Sequence, residues 1–229
     1  IFDQFLVLEF RGQGHRHQKH PGTHQIGGSA IEISTASTRI ILDFGNELSL
    51  DEKYIPINLD IDGVTKGMLD CDGIVISHYH MDHLGQLTSA LPEIPLYMGK
   101  LSKEVAMIAT EHQDKDLYLR LLGANTFRGG EAFTIGNIHI RPLVIDHSAV
   151  DSYMFVIEAE GKRVLYTGDF RMHGLRSHIV EKLVKTYIGE VDVLITEGTL
   201  VSRGVNDGIS EAAVLEDISS YIQDGKYVF

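Results

Sequence analysis

The chain has 229 residues, 43% hydrophobic and 23% charged, with a net charge of −12 from 20 basic and 32 acidic side chains. That length suits a single α/β domain with a full core, and the composition excludes a disordered polymer. The acidic balance argues against a broad nucleic-acid surface on this chain, because phosphate binding draws on Lys and Arg, and the single cysteine excludes both a disulfide framework and a cysteine-rich zinc site.

Residues 5–10 are an apolar run that reads as a strand. Residues 12–28, rich in Gly and His without periodicity, read as a long loop. Residues 30–33 alternate apolar and polar, and residues 39–43 form another strand after a turn at Ala36 and Ser37. Residues 46–68 are irregular. Residues 73–77 are a β-branched run without alternation, the pattern of a buried strand, with Cys71 expected as a small buried residue before it. A helix is expected over residues 84–91, a strand over 95–98, and helices over 102–111 and 115–122. From Ala132 the pattern is β again. One hairpin turns at Gly136 and Asn137, and a second, of residues 153–158 and 163–166, turns at Glu160 and Gly161. A helix over 179–187 and a strand over 192–196 follow. Residues 210–223 show helical spacing with Ser210 as N-cap, and Tyr227 opens what reads as a strand cut short. No stretch approaches the roughly 18 consecutive apolar residues that span a bilayer. No signal-peptide pattern appears, so no membrane partner is expected and the cytoplasm is the expected compartment.

The chemistry concentrates in Ser77-His78-Tyr79-His80-Met81-Asp82-His83-Leu84-Gly85. Three imidazoles and a carboxylate follow a buried strand within six residues. Imidazole suits zinc and other first-row metals, and carboxylate suits harder or bridging positions. Packing four such side chains unpaired beside an apolar strand would cost several kcal/mol. Two further strands end in the same kind of residue: Asp146-His147-Ser148 after an apolar run, and Thr167-Gly168-Asp169-Phe170 after another. Asp43 ends an early strand.

The spacing His-x-His-x-Asp-His resembles the signature of the metallo-β-lactamase superfamily, and the later motifs occur in that family's order. The resemblance implies an α/β fold, an αββα sandwich, here incomplete at its C-terminus. It implies two divalent ions, zinc first, with manganese or iron as substitutes. His78, His80 and His147 would hold one ion, Asp82 and His83 the other, and Asp169 would bridge them. A hydroxide shared by the metals would be the nucleophile, with Asp82 also orienting it as a catalytic residue. The family's last His ligand has no counterpart after His178.

Three features resemble the β-CASP nucleases such as ribonuclease J. They are the Gly-rich segment from Gly22 to Ser29, the Asp-His-Ser setting of His147, and Thr196-Glu197-Gly198-Thr199 after a strand, with Glu197 as a candidate catalytic acid. On this resemblance residues 1–200 form the catalytic domain and residues 201–229 begin an inserted β-CASP-like domain. RNA is the expected substrate, bound with help from a C-terminal region not present here, and a homo-oligomer is possible in such enzymes. The alternative is a small-molecule hydrolase of the same fold, of lactonase or thioesterase type. A non-enzymatic binding scaffold is disfavoured by the intact ligand set. His15, His17, His20 and His24 read as a solvated loop cluster. Arg171 and His173 are candidates for phosphate contact or plain surface residues, and His112, His139 and His178 read as structural or exposed.

Overall fold

A computed structural model describes residues 6–9, 27–48, 58–199 and 209–227. The cluster from His15 to His24, most of the Gly-rich segment and the end of the strand opened by Tyr227 lie outside the described residues.

The strands are β1 (Leu6–Glu9), β2 (Ile31–Ser34), β3 (Arg39–Leu42), β4 (Gly73–Ile76), β5 (Leu96–Gly99), β6 (Asn125–Phe127), β7 (Phe133–Ile135), β8 (Ile138–Val144), β9 (Tyr153–Ala159), β10 (Lys162–Tyr166) and β11 (Val193–Ile195). The helices are α1 (Met81–Leu84), α2 (Lys100–Thr110), α3 (Lys115–Leu122), α4 (Ser177–Leu183), which runs into a π-helical turn over Val184–Ile188, and α5 (Glu211–Gln223). One sheet runs in the order β1-β2-β3-β4-β5-β6, and the other β11-β10-β9-β8-β7.

The alternation of side chains along each strand builds three apolar layers. Ile40, Leu42 and Val75 of the first sheet meet Ile140, Phe155, Ile157 and Val164 of the second. Their neighbours Ile41, Ile74 and Ile76 point the other way, onto Leu84, Leu87, Ala106, Leu117 and Leu121. On the far side Met154, Val156 and Leu165 pack against Val180, Leu183 and Ile188. The result is an αββα sandwich. β4 is buried along its whole length because both its faces are covered, which is why its sequence does not alternate. Cys71 is buried, and burial pushes its thiol up to about 11.

One expectation needs correction, and one strand was not expected. The helix expected over residues 84–91 is the single turn α1, placed earlier and followed by turns. Its carbonyls are taken by other partners: Asp82 O accepts from Ser29 N (3.0 Å) and His83 O from Phe44 N (2.6 Å), while Gln86 N donates to Phe44 O (2.9 Å). Leu84, Leu87 and Leu91 keep helix-like spacing only because all three face the same core. β6 was not expected, since only Phe127 of its three residues is buried and so no pattern shows.

Strand direction positions the site. β3, β4, β5 and β6 are parallel, and β8 and β10 run alike because both are antiparallel to β9. The carboxyl ends of β3, β4, β8 and β10 carry Asp43, the 77–83 turn, His147 and Asp169. Tyr153 N donates to Ser77 O (3.1 Å), tying the sheets together where these ends meet. Among the described residues no helix is long and apolar enough to cross a membrane.

Candidate metal centre

Asp43 lies at the base of the site, fully buried and in the left-handed region at φ 57, a conformation that Asp tolerates better than most residues. Its Oδ1 accepts from Ser77 N (2.6 Å). Its Oδ2 accepts from Ser77 Oγ (2.8 Å) and Tyr166 Oη (2.6 Å), and faces His83 Nδ1 at 2.8 Å. Ser77 Oγ also lies 3.0 Å from His78 Nδ1. These partners assign the ring protons of both His78 and His83 to Nδ1, leaving each Nε2 directed into the site. This is how outer partners usually orient metal-ligating histidines.

Two groups of donors follow. In one, His78 Nε2 and His147 Nε2 stand 3.1 Å and 3.2 Å from His80 Nδ1. In the other, His78 joins His83 and Asp169, with His83 Nε2 3.4 Å from Asp169 Oδ1. In each group the donor atoms lie within 4.8 Å of one another. Asp169 reaches toward both, its Oδ2 being 3.8 Å from His147 Nε2. Asp82 stands at the edge, with Oδ2 3.7 Å from His83 Nε2, and belongs to neither group. Thus the structure gathers His78, His80, His83, His147 and Asp169 tightly and holds Asp82 beside them.

The electrostatics divide the site. Burial lowers His78 well below the usual imidazole range, reinforced by His83, His147 and His80. Burial also lowers His80, and takes His147 down to about 4, against the opposing pull of Asp169. These three rings are therefore neutral near pH 7. His83 behaves oppositely: burial pulls it down, but Asp43 and Asp169 outweigh burial and push it up to about 10. Burial would raise Asp169, yet His83, His147 and His80 bring it below the usual carboxylate range. Converging neutral imidazoles beside a buried field that favours positive charge form a donor set that fits divalent cations.

The remaining expected residues have specific neighbours. Glu197 Oε1 accepts from Phe170 N (2.8 Å), so it holds the backbone next to Asp169. Arg171 pairs with Asp146 and Glu211, while His173 is exposed. His112, His139 and His178 are exposed.

Four residues of the site went unassigned from sequence. Ser77 and Tyr166 complete the shell of Asp43. Gly45 lies so close to α1 that a Cβ there would sit 1.7 Å from Asp82 O. Gly168 turns the chain into Asp169 at φ +54, with room for a Cβ only 3.2 Å from Ser77 Cβ. For Gly45 and Gly168 the available signal was a place within two residues of a strand-end acid, Asp43 and Asp169.

Residues 58–212 match the Beta-lactamase superfamily domain family. The chain is 27% identical over 225 residues to an RNase J-like protein of Methanocaldococcus jannaschii, covering 90% of this chain and 48% of that protein. It is 27% identical over 227 residues to the endoribonuclease YSH1 of Gibberella zeae, covering 89% of this chain and 26% of that one. The chain thus spans half or less of the length of these relatives. Among solved structures, a protein of unknown function from Enterococcus faecalis V583 superposes with a TM-score of 0.73 at 19% identity, over 87% of this chain and 55% of the other.

Proposed function

This chain belongs to the metallo-β-lactamase superfamily, and on that premise we propose that it is the catalytic part of a metal-dependent hydrolase that cleaves phosphodiester bonds in RNA. The observation that carries the metal chemistry is the convergence of His78 Nε2 and His147 Nε2 on His80 Nδ1, at 3.1 Å and 3.2 Å, beside His83 and Asp169. The RNA assignment is supported by the names of the relatives, an RNase J-like protein and an endoribonuclease.

Bound there, two divalent ions, zinc in the first instance, would polarise a phosphoryl oxygen and lower the pKa of water. The chain's own residues then have distinct tasks. His78, His80 and His147 offer neutral nitrogens to one ion. His83 Nε2 and the Asp169 carboxylate would hold the second. Asp82, partly exposed at the edge, orients the attacking water and accepts its proton. Asp43 holds His83 and, through Ser77, His78 in the required tautomers. Glu197 acts on this site through the Phe170 amide.

In this reading residues 201–229 begin a β-CASP-like unit, which is supported by α5 having no buried residue. The cationic surface for RNA lies largely outside this acidic chain, and the protein works in the cytoplasm, where its free Cys71 stays reduced.

The test is end-labelled single-stranded RNA incubated with the full-length protein and zinc or manganese, beside an Asp82→Asn variant. The expected result is cleavage by the parent and a loss of at least about 100-fold in the variant. Metal binding without RNA cleavage, together with turnover of a lactone or thioester, would replace RNA with a small-molecule substrate.

A further inference from the structure

Resting on that reading of the metal centre, we propose that Arg171 is a positioning residue through which the seating of α5 sets the placement of His147 and Asp169. Asp146 directly precedes His147 and is almost wholly buried. Its Oδ1 pairs with Arg171 Nε at 3.1 Å, and its Oδ2 accepts from Arg176 N at 2.8 Å. Its carbonyl accepts from Arg171 N at 2.9 Å. Arg171 stands two residues after Asp169. The two candidate ligands contributed by the second sheet are therefore joined by the Asp146–Arg171 pair. The ligands from the 77–83 turn take no part in it.

The outer side of the same guanidinium carries the link to α5. Arg171 Nη1 lies 2.6 Å from Glu211 Oε1, at the first residue of the helix. Glu211 Oε2 accepts from Leu175 N (3.1 Å), and Glu211 N donates to His173 O (3.0 Å). One glutamate thus clasps the 171–175 loop at three points. α5 buries no residue, and Val214, Leu215, Tyr221 and Ile222 are exposed along it, so these polar bonds are a large part of what seats it. The planar, fixed fork of Arg can serve two carboxylates in one geometry, which the point charge of Lys cannot. If α5 shifts, Arg171 loses its outer partner and the 171–175 loop, which ties Asp146 to the chain just after Asp169, loses its brace. The fit is close: a Cβ on Gly174 would come within 2.3 Å of Asp146 Oδ2 and 2.6 Å of Arg171 Nε.

Cobalt(II) titration of the full-length protein tests this without any substrate, reading affinity and the visible ligand-field spectrum. Arg171→Ala should weaken binding by about tenfold, the scale of a lost outer-shell partner, and alter the spectrum. Glu211→Gln, at the surface and safe for folding, should weaken it severalfold in the same direction. The double variant should match Arg171→Ala alone, because both changes break one path. Glu216→Ala on the same helix should leave both readouts unchanged. Parental affinity and spectrum in Glu211→Gln would overturn the coupling, as would strictly additive losses in the double variant. Should Arg171→Ala fail to fold by circular dichroism, Glu211→Gln and Arg171→Lys decide, with Lys expected to lose affinity. Variant effects on cobalt in a parent that leaves RNA intact would sink the substrate assignment and keep the coupling; a parent that binds no cobalt would sink the metal reading and the coupling with it.

Discussion

Asp43 Oδ2 lies 2.8 Å from His83 Nδ1, and both side chains are almost completely removed from solvent. That carboxylate oxygen also receives the Ser77 and Tyr166 hydroxyls, so one acid determines the orientation of several groups around the centre. Asp43→Asn keeps the shape and tolerates the left-handed backbone, but presents an amide donor to groups that need an acceptor. We expect a loss of about 3 kcal/mol in stability, as for breaking a buried charge pair. Metal affinity should fall by about 10- to 100-fold. Urea unfolding and a zinc titration measure the two, and parental values in both would refute this account of Asp43.

Gly45 makes a sharper prediction, because the obstacle to any side chain there is backbone. The Cβ of Gly45→Ala would meet Asp82 O at 1.7 Å and Asp82 C at 1.9 Å. Either the 44–46 segment or α1 must move, and α1 carries Asp82 and His83. We expect at least about 3 kcal/mol of destabilisation, the upper range for overpacking, and loss of hydrolysis in whatever fraction still folds. Denaturant unfolding that coincides with the parent's would contradict the close approach.

The metal-free protein should have a stability maximum near neutral pH, limited on both sides by histidines. Burial holds His147 down at about 4, against an ordinary value of about 6.5. The unfolded chain therefore takes up a proton that the folded one refuses, and stability declines as pH falls from about 6.5 toward 4. His83 is pushed up to about 10. Its contribution is whole below about 6.5 and disappears as pH rises through 10. Thermal unfolding after EDTA treatment, from pH 4 to 10, should trace this dome. His147→Gln should flatten the acid side only in part, since His78 is lowered as well.

Glu197 can be tested by its choice of partner. Its contact is with a backbone amide, Phe170 N, for which a glutamine oxygen is an adequate acceptor. Glu197→Gln should therefore retain activity within about threefold, whereas Glu197→Ala should lose about tenfold by freeing the backbone beside Asp169. A glutamine variant as inactive as Asp82→Asn would mean that the carboxylate itself handles a proton or substrate.

The parts of this molecule that could be read from sequence are those in which a short apolar run meets a polar residue at a strand end. Leu143, Ile145 and His147, or Val164, Leu165 and Asp169, announce both the element and the polar residue that the fold brings to the candidate site. The supporting network could not be read that way. Tyr166 and Asp43 are 123 positions apart, and Ser77 and Asp43 are 34 apart; no local pattern links them. The run from Leu84 to Leu91 misleads for a related reason. Its leucine spacing records which side faces the core, while the hydrogen bonds that would make it a helix are diverted to Ser29 and Phe44. β6 is too short and too exposed to leave a periodic trace.

His80 and His147 meet across 67 positions of chain, each delivered by a different sheet. During synthesis the early histidines emerge long before their counterpart, and neither donor group is complete until the second sheet has been made. A metal ion held by these groups would therefore find its full donor set only once both sheets have been made, as the seal on a finished assembly and not as the seed around which the nascent polypeptide gathers.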